Sequence, residues 1–433
     1  MHLVITLFLS DHIGLQYTNC VTVHWQLCTP LSATQPGKNE ITVKIKKITP
    51  HLIHGPQPYM ASAGEESGTV RPYIFVQVET DEGITGWGEV TNSTPAHNAA
   101  VTSLLLQSND LIAGDDVSHI EAIWHKIFRA YTYMGSRGLT TSIISGIDIA
   151  MWDIRGKLLG CPIYSLLGGP VRDRISLYTH PNGGPSVAGI ARSAKAIAES
   201  GHTALKTDPF PQTAEERATP YGFLSGQVDA ATENVGMETI AAIREAVGPD
   251  VEVLIDAHGR FDVPTAIRLA TRLAEFDIGW FEEPVPPESY PALRQVKSEV
   301  PVPICVGERL FTRFDFLPVL EEGLADFLMP DVTWTGGITE LRKISSLAET
   351  FYIPVSPHDA SGPVNILAGA HTMMTVPNFY KLETMRADLS AYNAFIDHPL
   401  DIRNGHLHLS DRPGLGIELD IDYLKANAIN VAT

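Results

Sequence analysis

The chain is short of positive charge, of cysteine and of long apolar runs. Its 31 Lys and Arg stand against 50 Asp and Glu over 433 residues, a formal net charge of −19. Nucleic acid is bound by a basic stripe, and the sequence has none, so nucleic-acid partners are excluded. No apolar run approaches the ~18 residues of a membrane span, so no membrane is expected either. Met1–Ser10 holds a short apolar stretch without a basic leading segment, and Asp11 and His12 follow at once; it does not read as a secretory leader. Cysteine is limited to Cys20, Cys28, Cys161 and Cys305. Cys20, His24 and Cys28 form C-x3-H-x3-C with no fourth ligand nearby and read as chance, while Cys161 and Cys305 lie in apolar settings as small core residues. Without a disulfide framework, a cytoplasmic location is the expectation. The acidic balance still permits a small anionic substrate, because a bound cation and a few Lys or Arg can reverse the potential inside one cleft.

What the chain does contain is a spaced series. Asp256, Glu282, Glu308, Asp331, His358 and Glu383 follow at intervals of 26, 26, 23, 27 and 25 residues. Most close a short apolar run, as in Val-Leu-Ile-Asp256, Gly-Trp-Phe-Glu282 and Cys-Val-Gly-Glu308. About 25 residues make one strand, one helix and two loops. In a parallel barrel all strands point one way, so strand-end residues share a rim, and the C-terminal rim is where barrel active sites sit. The spacing predicts an α/β fold with these six residues gathered on that rim.

Residues 1–40 show no period and end in the linker-like Thr34-Gln-Pro-Gly-Lys-Asn-Glu40; they read as an atypical extension. Residues 41–165 read as an α+β domain. Strands are expected at Ile41–Ile48, Tyr73–Glu79 and Thr85–Val90, with a Gly/Ser/Pro-rich loop from His54 to Pro72 and a turn at Asp81-Glu-Gly83. Helical stripes follow at Ile120, Ile123, Trp124 and Ile127, and at Ile144, Ile147, Met151, Ile154 and Leu158, with Gly160 as a stop. From 166 to 386 strands and helices alternate. The expected strands are Ile175–Thr179, Thr203–Thr207, Glu252–Ile255, Ile278–Glu282, Ile304–Gly307, Asp326–Met329, Ile353–Ser356 and Phe379–Glu383. Strict alternation implies a parallel sheet covered on both faces, and eight such units suit a closed barrel. Residues 387–433, with a short strand at His406-Leu-His-Leu409 and a turn at Arg412-Pro-Gly414, are expected to return to the first domain.

Three carboxylates converging from Asp256, Glu282 and Glu308 would repel unless a hard cation sat between them, and Mg2+ suits oxygen ligands with open positions for substrate. Glu283 follows Glu282 directly, and spacing alone does not say which faces the ion. Asp331 and His358, on neighbouring strand ends, can pair so that the acid fixes the histidine tautomer and raises its pKa. His258 lies two residues beyond Asp256 in Asp256-Ala-His-Gly-Arg260, and Lys206-Thr-Asp208 ends the second strand with two charged side chains at period two.

Together these residues resemble the enolase superfamily, in its mandelate racemase/muconate lactonizing enzyme-like branch. The likeness covers about residues 41–425 and is carried by Gly83-Ile-Thr-Gly-Trp-Gly-Glu89, Ser145-Gly-Ile-Asp-Ile-Ala-Met-Trp-Asp-Ile-Arg-Gly-Lys157, Trp280-Phe-Glu-Glu-Pro284, Gly307-Glu-Arg309, Met329-Pro-Asp331 and Gly336-Gly-Ile-Thr-Glu340. The resemblance implies a modified TIM (β/α)7–8 barrel under an α+β capping domain. It implies one Mg2+ per subunit on Asp256, Glu282 rather than Glu283, and Glu308. It also implies removal of a proton next to a carboxylate, and a homo-oligomer. Many such enzymes carry Lys-x-Lys at the second strand; here Asp208 replaces the second lysine, and His258 adds a histidine after the third. That pattern is similar to sugar-acid dehydratases of the galactonate dehydratase type. By resemblance His358, oriented by Asp331, takes the C2 proton of an aldonate, and His258 protonates the departing C3 hydroxyl. Lys206 and Glu383 complete the catalytic set, Glu383 by bonding the substrate carboxylate, and Asp208 and Arg260 are the expected substrate contacts.

Two other readings stand beside this one. Two histidines flanking C2 could move a proton without loss of water, as an epimerase or cycloisomerase would, and product analysis separates the cases. A non-catalytic ligand-binding relative is the third, and metal-dependent turnover would rule it out. Specificity is expected in His54–Pro72, Asn92–His97 and Asp208–Gly236.

Overall fold

The structure, a computed structural model, describes residues 42–57, 70–133, 135–184, 186–210 and 226–430. The 1–40 extension with its Cys20–His24–Cys28 triple, and residues 211–225 of the expected specificity segment, lie outside the described residues. Among the described residues no helix is long and apolar enough to cross a membrane.

The N-terminal cap is a three-stranded antiparallel sheet in the order β1 (Ile45–Pro56), β2 (Val70–Thr80), β3 (Thr85–Val90). β1 runs well past Ile48, where the sequence pattern seemed to stop it, and pairs residue by residue to Pro56↔Val70. Its prolines explain the difference: β1 is an edge strand, where a missing N–H is tolerated, so Pro50 does not end it. Helices α1 (Pro95–Ile112), α2 (Ile120–Ala130) and α3 (Leu139–Leu159) cover the sheet, and α3 stops at Gly160 in the left-handed conformation, φ +66°. Two motif glycines let α3 lie against β3. A Cβ on Gly88 would fall 1.8 Å from the Gly146 carbonyl oxygen, and one on Gly86 2.2 Å from that of Ala150.

A single turn, α4 (Ile163–Leu166), leads into the barrel. The order is β4 (Ile175–Thr179), α5 (Val187–Glu199), β5 (Ala204–Thr207), α6 (Ala230–Val247), β6 (Glu252–Asp256), α7 (Val263–Leu273), β7 (Trp280–Glu282), α8 (Tyr290–Glu299), β8 (Ile304–Val306), α9 (Thr312–Glu321), β9 (Phe327–Leu328), α10 (Gly337–Thr350), α11 (Pro363–Met373) and β10 (Leu382–Thr384). The expected seventh strand is reduced to single bridges from Val355 to Leu328 and to Phe379. Pro354 and Pro357 flank it and have no N–H to give to a ladder. β10 pairs in parallel with β4, so that among the described residues the ring closes through seven strands and the bridged segment around Val355, with seven helices between them.

Other motif residues tie cap to barrel. Asp148 on α3 accepts from Thr339 N at 3.0 Å, and Trp124 Nε1 donates to the Gly336 carbonyl at 2.9 Å. The chain after the barrel forms a hairpin, β11 (Asp401–Arg403) and β12 (His406–His408), beside β4. It then runs back to the cap: Leu415 N donates to Asp153 at 2.8 Å, Trp87 Nε1 to Glu418 at 2.9 Å, and Ile429 N to the Leu52 carbonyl at 2.8 Å.

Candidate active site

Period two sorts the barrel-strand side chains into an outward and an inward row. Leu205, Val253, Ile255 and Phe281 join the core beneath the helices. Tyr178, Ala204, Leu254, Trp280, Cys305 and Met329 form a separate buried cluster, the filling of the barrel. Two residues on from Ala204, Leu254 and Trp280, on that same row, stand Lys206, Asp256 and Glu282. The Cα register sets Asp256 beside Glu282, and Gly307, at φ +142°, turns the chain so that Glu308 follows. One carboxylate oxygen of each acid lies within 4.8 Å of the others, and all three side chains are buried. Parity also separates the neighbours that spacing could not: Glu282 faces inward, whereas Glu283, at φ +38°, turns to the Arg309 guanidinium 3.2 Å away.

Three carboxylate oxygens are a donor set for a hard divalent cation. Burial, and next Asp256, push the Glu282 carboxyl well above its ordinary range. Acids this close in a dry site resist ionising together, and a cation among them removes that resistance. Asp256, Glu282 and Glu308 therefore fit such an ion. Lys206 supplies partial compensation of its own: its Nζ lies 2.7 Å from Glu282, 2.9 Å from Glu383 and 3.3 Å from Asp256. Burial works against the ammonium charge, but Glu282 and Glu383 outweigh it and hold the Lys206 pKa well above its usual value.

His358 Nδ1 lies 2.7 Å from Asp331 Oδ2, and Nε2 is 3.3 Å from Glu308 Oε2. With Nδ1–H donating to Asp331, Nε2 is the nitrogen offered to the cleft. Trp334 stacks on the ring at a centroid distance of 5.7 Å. Burial opposes protonation of His358, but Glu383 and Glu308, with Asp331, outweigh it and raise the pKa to about 10. His258 stands across the barrel, since the third and seventh strands are four apart in a ring of eight. Its backbone is strained at φ +53° and held there: its N–H donates to Asp256 at 2.9 Å and its carbonyl accepts from Arg309 at 2.6 Å. Its Nδ1 lies 3.2 Å from Asp208 Oδ2. Burial again opposes the charge, and Asp256 and then Asp208 outweigh it, raising the His258 pKa to about 9.

One expectation needs correction. Arg260 does not reach the cleft as a substrate contact. It is buried behind Asp208, donating to that carboxylate at 2.6 Å and to the Phe210 carbonyl at 3.3 Å. Asp208 does line the cleft, as the partner of His258. Glu383, at the end of the last barrel strand, lines the cleft. Besides Lys206 it accepts from His180 Nε2 at 2.6 Å, Tyr178 Oη at 3.1 Å and Asp359 N at 3.2 Å. Burial opposes its charge, but Lys206 and then His358 outweigh it and hold the carboxyl well below the usual range. Glu383 thereby anchors Lys206 and His180.

His180 was missed in the sequence, although it follows the same rule: it lies two residues past Tyr178, at the end of the first strand. Thr91, Trp334 and Asn365, also near His358, carry no spacing signal. The cleft measures about 1250 Å³. Its barrel wall includes Lys206, Asp208, Asp256, His258, Glu308 and His358, and its cap wall includes Arg71, Asn92 and His97. Asn92–His97 and the described ends of His54–Pro72 thus border it; residues 58–69 lie outside the described residues.

Residues 47–168 match the family described as mandelate racemase / muconate lactonizing enzyme, N-terminal domain, and residues 189–423 match the enolase C-terminal domain-like family. The chain is 32% identical over 368 residues to a D-xylonate dehydratase of Haloferax volcanii, covering 84% of this chain and 87% of that one. It is 34% identical over 356 residues to a D-galactonate dehydratase of Pectobacterium atrosepticum (80% and 89%), and 32% identical over 391 residues to a D-galactarolactone cycloisomerase of Agrobacterium fabrum (88% and 98%). A crystal structure of a putative dehydratase from Zymomonas mobilis superposes with a TM-score of 0.80 at 31% identity, over 89% of this chain and 98% of that one. The inward row of acids, the cap sealed to the barrel by its glycine and aspartate motifs, and these matches over both parts agree: the chain belongs to the enolase superfamily, in the mandelate racemase/muconate lactonizing enzyme branch.

Proposed function

We propose that the chain is a Mg2+-dependent sugar-acid dehydratase, a hydro-lyase that converts an aldonate into a 2-keto-3-deoxy sugar acid. One observation carries the reading: two histidine–aspartate pairs stand on opposite sides of a buried carboxylate triad in one cleft. Similarity to dehydratases of xylonate and galactonate supports the substrate class.

Asp256, Glu282 and Glu308 would hold the ion. When bound, it supplies positive charge against the substrate carboxylate and takes up the Glu308 charge that otherwise keeps a proton on His358. His358 Nε2 takes the C2 proton while Asp331 holds Nδ1–H and balances the imidazolium that forms. From the other side His258, paired with Asp208, gives a proton to the C3 hydroxyl as the C3–O bond breaks and water leaves. The resulting enol loses its O–H proton and gains one at C3 to become the ketone. For the opposite C2 configuration the two histidines exchange roles. Lys206, shared among three carboxylates, keeps the acids paired while the charge moves.

The test is a panel of C5 and C6 aldonates and aldarates with Mg2+, followed for 2-keto-3-deoxy products and for solvent deuterium at C2. Product should form with Mg2+, vanish in EDTA, and vanish in His258→Ala and His358→Ala. Deuterium exchange without loss of water would replace the dehydratase reading with an epimerase or cycloisomerase. No product across the panel would sink it.

A further inference from the structure

The carboxylate that orients His358 is itself held from the cap. Glu89, in β3, and Thr91, just past its end, are both buried and point to one side, two residues apart. Thr91 Oγ1 lies 2.7 Å from Ser361 Oγ and in close hydrogen-bond contact with Thr333 Oγ1. Thr333 Oγ1 donates to Asp331 Oδ1 at 2.6 Å, and Thr333 N donates to the same oxygen at 2.7 Å. A hydroxyl has one proton. Thr333 gives its proton to Asp331, so from Thr91 it can only accept. Thr91, having donated, can only accept from Ser361. The chain therefore has one direction, from Ser361 through Thr91 and Thr333 to Asp331. Glu89 works alongside: its Oε2 accepts from Asn365 N at 3.0 Å, and Asn365 Nδ2 reaches the two Asp331 oxygens at 3.3 and 3.4 Å. Oδ1 of Asp331 is thus pinned from the cap side, which leaves Oδ2 aimed at His358 Nδ1, 2.7 Å away.

We infer that Thr91 is a positioning residue of the reaction: the capping domain, through its hydroxyl, fixes the Asp331 carboxylate and so aims the His358 ring. The inference rests on the reading of His358 as an acid–base group. Removing the Thr91 hydroxyl takes away the proton that Thr333 Oγ1 accepts and strands the Ser361 donor. Buried networks of this kind lose more than one bond when a middle member is deleted. Thr91 also borders the cleft, so a direct substrate contact is the competing explanation, and that would appear in KM.

The experiment compares Thr91→Val, nearly the same shape without the hydroxyl, with Thr91→Ser, which keeps it. The full-length protein is used, loaded with Mg2+, on the aldonate that the panel identifies. Thr91→Val should lower kcat about 10- to 100-fold, the usual scale for a supporting hydrogen-bond partner. KM and Mg2+ affinity should stay within about twofold, and Thr91→Ser should return kcat to within about threefold of the parent. Ser361→Ala, at the outer end of the chain, should lower kcat less and in the same sense, and it serves if Thr91→Val does not fold. An unchanged kcat, a loss confined to KM, or a serine variant as poor as the valine one overturns the inference. His358→Ala separates the two levels. If it retains turnover, the reading of His358 fails. If it is inactive while Thr91→Val is fully active, only the positioning role fails.

Discussion

Replacing Lys206 by Met should act in opposite directions on the fold and on metal binding. The ammonium is 1% exposed and lies 2.7, 2.9 and 3.3 Å from Glu282, Glu383 and Asp256. Without it, three buried carboxylates lose the ammonium they share. Removing one member of a buried ion pair costs about 3–5 kcal/mol, because the other is left uncompensated. Three carboxylates argue for the top of that range. Glu282, already pushed well above its usual pKa by burial and Asp256, can relieve part of the strain by taking a proton, which argues for the bottom. A loss of about 3 kcal/mol at pH 7 is expected, a fall of several degrees in Tm for a chain of this size. Mg2+ restores positive charge at the same place. Any ligand that binds only the folded state stabilises it by RT ln(1 + [L]/Kd), so the variant should gain more from Mg2+ than the parent and bind it more tightly. Thermal melts in EDTA and across a Mg2+ series measure both effects: the gap in Tm should be widest in EDTA and narrow as Mg2+ rises. If the two proteins melt together in EDTA, or if Mg2+ leaves the gap untouched, Lys206 is not the counter-ion of this cluster.

Two further outcomes follow from buried positions away from the cleft. His371 donates from Nε2 to the Leu415 carbonyl at 3.2 Å, and burial lowers its pKa to about 4, so below the unfolded value of about 6.5 the unfolded chain binds the extra proton and stability falls with pH. Between pH 7 and pH 5 the urea stability of His371→Gln should gain about 2 kcal/mol on the parent, and two parallel curves would refute the assignment. Gly88→Ala drives a Cβ to 1.8 Å from the Gly146 carbonyl oxygen and should cost about 3 kcal/mol or more, whereas Gly83→Ala, in open space at φ +80°, should cost only about 1–2. Equal losses in thermal melts would show that α3 can move off β3 freely.

The strand-end acids were legible because two local properties suffice to place them: a period of about 25 residues assigns a residue to a rim, and a period of two assigns it to a face. Asp256 and Glu282 need nothing else, Glu308 needs the turn at Gly307 as well, and Asp331 and His358 need only that their strands be neighbours. The seventh strand and the full length of β1 show where local pattern gives out. Pro354 and Pro357 reduce one to single bridges, while Pro50 does not stop the other, because a proline's effect depends on whether its strand is central or at an edge.

Arg260 marks a different limit. The same rim that holds Asp256 and His258 made Arg260 a reasonable substrate contact. A rim position says that a side chain can reach the cleft. It does not say which of its atoms are already engaged. Arg260 is taken by Asp208 and Phe210, and Glu383 by Lys206, His180, Tyr178 and Asp359. Most of these partners lie 50 to 205 residues away along the chain. Thr91 and Thr333 are 242 residues apart and were invisible for the same reason. Hydrogen bonding is a matter of available protons and lone pairs, each used once, so the role of a rim residue is decided by what its distant neighbours leave unclaimed. At this site His358 Nε2 faces Glu308 across 3.3 Å, and the open side of the acid triad borders the same cleft.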